Sequence, residues 1–154
     1  HYAVCDGADA QDVLALLRAE LQALAALDPA ARETTLLIAP HLFADFLDFN
    51  DFLGQADAVL HDLALEGTLQ IAPFHPRFRF AGTEADDITN ATNRAPHPTL
   101  HLLREASIDR AVAAFPEAAT IYEANMATLR KIGHDGWAML DVGATERRTI
   151  DPAR

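Results

Sequence analysis

Several residue types and sequence features are scarce in this chain of 154 residues. Cys5 is the only cysteine, which excludes a disulfide within the chain and a zinc site made of four cysteines. No apolar run approaches the roughly 18 residues that span a bilayer. No basic stretch followed by an apolar one opens the chain, as it would in a signal peptide. These absences predict a cytoplasmic protein that has no membrane partner.

Motifs that identify common enzyme classes are also missing. The chain has no GxGxxG, GxxxxGKS/T or GxSxG motif, so the dinucleotide-binding, P-loop and α/β-hydrolase interpretations have no support. No HExxH metal-binding motif is present either. The sequence therefore predicts no particular cofactor, and it leaves open whether the protein is an enzyme.

The composition limits both the size and the partners of the protein. Its net charge of −11 predicts repulsion of phosphate backbones, so we expect no nucleic-acid partner. Half of the residues are hydrophobic, which is enough to form a core without disulfides or structural metal ions. The length predicts a single domain, which we place at residues 1–136, with a flexible tail at residues 137–154. Since the chain begins at His1, we expect that an upstream segment is missing. The oligomeric state is left open.

Hydrophobic periodicity predicts alternating strands and helices. The predicted strands lie at residues 1–5, 34–39 and 68–72, with a continuation of the last through residues 77–80. The predicted helices lie at residues 10–27, 42–65, 99–115 and 117–132. This β-α-β-α-β order predicts an α/β domain with a small three-stranded, mostly parallel sheet and two C-terminal helices. A ferredoxin-like α+β arrangement is the alternative.

The polar loop at residues 74–105 is the expected working surface. In a parallel sheet the carboxyl ends of neighbouring strands share one edge, where open α/β folds bind ligands. Four of the twelve basic residues lie in this loop: Arg77, Arg79, Arg94 and Arg104. Guanidinium groups bind carboxylate or phosphate through paired hydrogen bonds. We expect the first two arginines to pair with acidic residues of the same loop, and the last two to hold an anionic small molecule.

The amide side chains of the same loop suit a binding role. Asn90 and Asn93 lie within a polar stretch at residues 86–93, between a predicted strand and a predicted helix. Asparagine commonly stabilises turns through bonds to its own backbone, and this alternative applies to both residues. We expect them to orient the anionic ligand.

Two histidines are candidates for proton transfer. His75 is expected to act as an acid or base, because imidazole titrates near neutral pH and this one lies in a loop beside a rigid sheet. His101 is the second candidate. Asp87 or Glu105 would set the tautomer of a histidine. The four residues together form the predicted catalytic set.

A metal site is a further possibility. His97, His101 and Glu105 follow one another at intervals of four residues, and two histidines with a carboxylate can hold zinc or iron. Such short patterns have low specificity. The candidates for metal ligands are His75 and His101, with Asp87 or Glu105.

Four segments carry a resemblance to a known family. They read TTLLIAPHLFADFLDFNDFL (residues 34–53), LEGTLQIAPFHPRFRFAG (residues 65–82), DDITNATNRAPHPTLHLLRE (residues 86–105) and IYEANMATLRKIG (residues 121–133). In these segments the chain resembles an uncharacterised bacterial family, domain of unknown function 1415. The FHP, TNR and LHLLRE motifs occur in the order and at the distances that the family has. The resemblance implies no established activity.

Two departures from the family pattern affect the predicted site. Family members typically carry a tyrosine where this chain has His97, which removes His97 from the metal candidates. Members also usually begin with an upstream segment that contains an Asn-Leu-Cys-Pro-Phe motif, absent here. The resemblance therefore implies that part of the site lies upstream if that cysteine contributes to it.

Three hypotheses follow from these patterns. The leading one is a small cytoplasmic enzyme that acts on an anionic small molecule at the loop of residues 74–105. The first alternative is a non-catalytic ligand- or protein-binding domain, in which aromatic residues of the 43–52 segment would form a contact surface. The second alternative is a metalloprotein with a histidine and carboxylate site. The first two hypotheses differ in whether the loop side chains converge on an open cavity or cancel in buried ion pairs.

Overall fold

The computed structural model describes residues 1–114 and 118–140. Its elements, in chain order, are β1 (Tyr2–Val4), α1 (Ala10–Ala26), β2 (Thr35–Ile38), α2 (Phe46–Asp62), β3 (Leu69–Phe74), a 3-10 helix (Ile88–Asn93), β4 (Thr99–Arg104), α3 (Glu105–Ala114) and α4 (Ala118–Ala138). The predicted α/β class is confirmed. Within the described residues, no helix has the length and apolarity required to cross a membrane.

The sheet has four strands in the order β1-β2-β4-β3. β1 and β2 are parallel neighbours, and β4 runs antiparallel to both β2 and β3. β1, β2 and β3 therefore all point the same way, as predicted, with β4 inserted between the last two. The predicted three-stranded sheet is wrong in this respect. The ferredoxin-like alternative shares the split β2-α2-β3 unit but not the parallel pairing of β1 with β2.

The fourth strand lies where the sequence predicted a helix. The predicted helix at residues 99–115 is instead β4 followed directly by α3. The segment TLHLLR has apolar residues at a spacing compatible with either structure. Hydrogen bonding to β2 on one side and β3 on the other makes it a strand, since strand formation depends on the partners available.

Two further predictions about elements differ from the structure. The predicted strand continuation at residues 77–80 is wrong, because these residues form a turn and an irregular segment after β3. The second helix is shorter than the predicted range of residues 42–65. It begins after Asp45, whose carboxylate accepts a hydrogen bond from the backbone N–H of Leu47, as an N-cap residue does.

The core lies between one face of the sheet and the two helices α1 and α2. α1 connects β1 to β2 and α2 connects β2 to β3, and both helices share one core with the sheet, as two right-handed crossovers would place them. The buried residues that form this layer alternate along the strands with less buried ones, as Leu37, Leu100 and Leu102 do. α1 contributes Val13, Leu17, Leu21 and Leu24, and α2 contributes Phe49, Phe52, Ala56 and Val59.

The other face of the sheet carries the intervening residues. Leu36 and Ile38 of β2 pair with His101 and Thr99 of β4, and all but the last are only partly buried. At the edge of this face the side chain of Tyr2 is 72% exposed. This open face and the helix-covered face therefore give their residues different surroundings.

The C-terminal region is helical through residue 138. The predicted helix at residues 117–132 ends where α4 is kinked, at Gly133, which has a φ of 63°. The predicted tail at residues 137–154 begins within the end of α4, and residues 141–154 lie outside the described residues. The division at residue 136 stays a prediction.

Candidate functional site

The segment after β3 crosses the sheet edge where β2 and β3 end. The backbone N–H of His75 donates to the carbonyl of Asn93 at 3.1 Å, and that of Ala39 donates to the carbonyl of Pro98 at 2.9 Å. The amide Nδ2 of Asn93 also donates to the carbonyl of Pro73 at 3.1 Å. These bonds hold the two ends of the loop against the edge at which the sequence predicted a site.

The middle of the loop is ordered by Asn90 and Asp87. The side chain of Asn90 is fully buried, and its Oδ1 accepts bonds from Phe80 N–H at 3.0 Å and from Thr83 Oγ1 at 2.9 Å. Asp87 caps the 3-10 helix by accepting from both the N–H and the hydroxyl of Thr89. These two hydrogen bonds lower the pKa of Asp87. Both residues therefore stabilise the loop, and their predicted substrate and catalytic roles are not part of our proposal.

The imidazole of His75 is only 1% exposed and is packed between residues of α2. Its Nδ1 accepts from the backbone N–H of Arg77 at 3.0 Å, so its Nε2 carries the proton and donates to the carbonyl of Phe43 at 2.8 Å. The ring stacks on Phe49 with centroids 5.3 Å apart. With both nitrogens engaged, His75 has a structural role, and its predicted acid/base role is not carried further.

The guanidinium of Arg104 lies at the end of α1. It is 9% exposed and donates to the carbonyls of Leu24 at 2.7 Å, Leu27 at 2.9 Å and Arg32 at 3.0 Å. The last turn of α1 has no basic residue of its own. Arg104 supplies the positive charge that the carbonyl end of a helix favours, so its predicted contact with a ligand is not part of our proposal.

Three of the loop arginines line one open cavity of about 370 Å³, here called the arginine pocket. The full lining is Asp45, Phe46, Leu47, Pro76, Arg77, Arg79, Ala85 and Arg94. Arg77 contacts the carbonyl of Ala44 and the carboxylate of Asp45, the latter at 3.3 Å. The expected pairing of Arg77 and Arg79 with acidic residues of their own loop is therefore wrong within residues 1–114 and 118–140.

The other two arginines of the pocket have no carboxylate partner in the part of the chain that the structure describes. Arg94 donates to the carbonyls of Ala85 at 2.7 Å and Phe78 at 3.4 Å. Arg79 is exposed and makes no hydrogen bond or ion pair with any described residue. The first turn of α2 also lines the pocket, which adds the partial positive charge of a helix N-terminus.

A second cavity, of about 520 Å³, lies on the open face of the sheet and is here called the sheet-face cavity. Its lining is mostly apolar and consists of Leu36, Ile38, Phe74, Arg94, Ala95, Pro96, His97, Thr99 and His101. His101 is partly buried, and burial is the main cause that lowers its pKa, followed by the positive charge of the chain's amino terminus. Its ring makes no hydrogen bond within the described residues.

The predicted catalytic and metal residues do not converge. His75 packs against α2 on the helix-covered side, whereas His101 lies on the open face of the sheet. Asp87 caps the 3-10 helix, and Glu105 begins α3. No group of three or more histidine, cysteine, aspartate or glutamate side chains among the described residues is placed to hold a metal ion. The metalloprotein alternative is not proposed further.

The family motifs fall on the residues that shape these two cavities. The FHP segment contributes Phe74 and Pro76 to their linings, the TNR segment contributes Arg94, and the LHLLRE segment contributes His101. The model of the family described as protein of unknown function (DUF1415) matches residues 1–139. The chain belongs to this family. No curated protein and no solved structure matches the chain.

The family description assigns no function, so the chemistry of the site has to follow from its own residues. Sequence reasoning selected Arg94 but assigned Arg77 and Arg79 to local ion pairs, and it did not select Asp45. Arg77 and Arg79 are two residues apart, a spacing at which two side chains of an extended segment point to the same side, and both line the arginine pocket. The contribution of α2 to the pocket had no local indication, since its first turn is about 30 residues away along the chain.

Proposed function

We propose that this chain binds a small anionic molecule, through a phosphate or carboxylate group, in the arginine pocket. The observation that best supports the proposal is the placement of three guanidinium groups around one open cavity beside a single carboxylate. Because guanidinium groups match the geometry of these anions, such a cluster is suited to recognise them.

The charge balance of the pocket differs from that of the whole chain. Its lining carries three arginines against Asp45 alone, whereas the chain has a net charge of −11. A uniformly acidic field would repel an anion at long range. The attraction therefore depends on short-range hydrogen bonds. Arg79, which bonds to no described residue, and the partly used guanidinium of Arg94 can supply them.

The size of the cavity suits a compact ligand. A volume of about 370 Å³ lies at the lower end of the roughly 300–1,000 Å³ typical of small-molecule sites. The apolar part of the lining, from Phe46, Leu47 and Pro76, would contact a short carbon skeleton attached to the anionic group. A small phosphorylated or multiply carboxylated metabolite fits this description.

The pocket supports binding better than catalysis. None of the predicted catalytic residues His75, His101, Asp87 or Glu105 is among its lining residues. Its carboxylate, Asp45, is occupied by the N–H of Leu47 and by Arg77. We therefore favour the non-catalytic ligand-binding hypothesis over the enzyme hypothesis for this pocket.

Titration calorimetry tests the proposal directly. Pyrophosphate, citrate and glycerol 3-phosphate would be titrated into the protein in a phosphate-free buffer. We expect at least one to bind, with an affinity that falls about tenfold in Arg79→Ala and in Arg94→Ala, as the loss of one charge-assisted hydrogen bond predicts.

A matched control separates a site from general electrostatics. Arg110→Ala removes the same charge from an exposed ion pair with Glu33 that lies outside the arginine pocket. We expect this variant to bind the probe as the unmodified protein does. Absence of binding by all three probes, or equal losses in all three variants, would contradict the proposal.

A further inference from the structure

The sheet-face cavity has a chemical character opposite to that of the arginine pocket. Leu36 and Ile38 form its floor, and Phe74 and Pro96 form part of its walls. Arg94 contributes to its lining, but the guanidinium bonds to the carbonyls of Phe78 and Ala85, of which Ala85 lines the arginine pocket. The positive charge of Arg94 therefore serves the arginine pocket.

The polar groups of this cavity differ in how far they are engaged. The hydroxyl of Thr99 donates to the carbonyl of His97 at 2.9 Å. The imidazole of His101, by contrast, has no hydrogen-bond partner within the described residues, although β4 holds it among apolar side chains. The ring is only partly buried, so its nitrogens still reach solvent. A ligand that bonds to His101 would take the place of a water molecule there.

The protonation state of His101 indicates which ligands suit the cavity. Burial lowers the pKa of the ring from its ordinary value of 6.5, so the neutral form predominates at pH 7. A neutral imidazole offers one donor and one acceptor, and it does not attract anions as a charged one would. Beside it, the ring of Phe74 lies with its centroid 6.3 Å from that of His101. Two adjacent rings favour an aromatic ligand, through edge-to-face or offset contacts.

We propose that the sheet-face cavity is a second small-molecule site, which takes an uncharged aromatic molecule that carries one hydroxyl or N–H group, bonded to His101. The volume of about 520 Å³ lies within the range of ligand sites. This site is independent of the anion proposed for the arginine pocket, since the two ligand classes and the deciding side chains differ.

The test compares two probes of similar shape. Phenol carries the hydroxyl that the proposal requires, and toluene replaces it with a methyl group. Binding would be followed through the ring signals of the seven histidines in heteronuclear NMR spectra, with the His101 signal assigned from its loss in His101→Phe. We expect phenol to shift the His101 signal in a saturable way and to leave those of the exposed His41 and His61 unchanged.

Two variants make the result decisive. His101→Phe keeps an aromatic ring and removes the hydrogen bond, so the affinity for phenol should fall about threefold to tenfold, to the level of toluene. Fluorescence of the bound phenol would report this affinity, since the variant lacks the His101 signal. Ile38→Phe fills part of the cavity floor, so it should abolish binding of both probes. Thermal unfolding of each variant checks that the fold is retained.

The outcomes separate the two proposed sites. Unchanged His101 signals at saturating phenol, or equal phenol affinity in the unmodified protein and both variants, would overturn the inference. Arg79→Ala should leave phenol binding unchanged, and Ile38→Phe should leave pyrophosphate or citrate binding unchanged. If Ile38→Phe does not fold, the affinities of phenol and toluene still decide the question. They should differ in the unmodified protein and be equal in His101→Phe.

Discussion

The two faces of the sheet place similar residues in opposite situations. On the helix-covered side, His75 and Arg104 are almost fully buried, and their side-chain nitrogens bond to backbone groups. At the open face and the adjoining loop, His101 and Arg79 have no hydrogen-bond partner among the described residues. The comparison teaches that the groups around a side chain, and not its residue type, decide whether backbone atoms hold it or it has no partner among the described residues.

The largest expected effect comes from removing the buried guanidinium. Arg104→Met keeps the aliphatic length but leaves the carbonyls of Leu24, Leu27 and Arg32 without their donor. We expect the free energy of unfolding to fall by about 3 kcal/mol, measured by urea denaturation. Arg104→Lys keeps the charge but loses the planar guanidinium, so its free energy of unfolding should lie between those of the unmodified protein and Arg104→Met.

The control for this prediction is an exposed arginine. Arg110→Met removes an ion pair whose two side chains are 63% and 51% exposed, and such pairs contribute about 0.5 kcal/mol or less. If both methionine variants lost the same free energy of unfolding, the structural role assigned to Arg104 would be wrong.

The next largest effect compares the two histidines directly. His75→Phe leaves the carbonyl of Phe43 and the N–H of Arg77 without partners, so we expect a loss of about 2 kcal/mol in the free energy of unfolding. His101→Phe removes no hydrogen bond within the described residues, and we expect a change of about 0.5 kcal/mol or less. Urea denaturation of both variants at pH 7 measures the difference. Equal losses in the free energy of unfolding would contradict the different roles assigned to His75 and His101.

A smaller effect concerns the dependence of stability on pH. The folded state lowers the pKa of His101 below 6.5, so the unfolded chain takes up a proton at this residue more readily as the pH falls. Its contribution to stability is present above the unfolded pKa and is lost on acidification through the folded pKa. Urea denaturation in steps from about pH 7 to about pH 5 should show a shallower decline in His101→Phe. An unchanged decline would contradict a lowered pKa.

The smallest expected effect on stability belongs to Arg79. Because its guanidinium is exposed and makes no bond to a described residue, Arg79→Ala should change the free energy of unfolding by about 0.5 kcal/mol or less. The same variant should lose about tenfold in affinity for the anionic probe. A large loss of stability would indicate that the guanidinium of Arg79 stabilises the loop and is not available to bind a ligand.

Much of the helical layer could be predicted from the sequence. The apolar spacing within α1 is local, and so is its capping box, in which Asp9 and Asp12 bond to each other's backbone groups. The apolar run of β2 and the concentration of arginine in one loop are equally visible in the sequence. The common direction of β1, β2 and β3 followed from the alternation of strands and helices.

The candidate site could be located from the sequence but not resolved into roles. The predicted loop contains the three arginines that line the arginine pocket, and its role as the working surface stays a prediction. The sequence analysis chose Arg104 over Arg79 as a ligand contact, but nothing local distinguishes two arginines of the same loop. What distinguishes them is the position of α1, whose terminal carbonyls Arg104 reaches across 80 positions of the chain.

The sequence by itself determined α1, most of α2, the direction of three strands and the loop that supplies the arginines of the arginine pocket, because periodicity and caps act over a few residues. Only the tertiary structure decided that residues 99–104 form a strand, since its hydrogen-bond partners lie in β2 and β3. It also decided that His75 bonds across 32 positions to Phe43, while the ring of His101, on the other face, has no hydrogen-bond partner among residues 1–114 and 118–140. A side chain's role follows from the groups that folding brings beside it, and those groups are distant in the sequence.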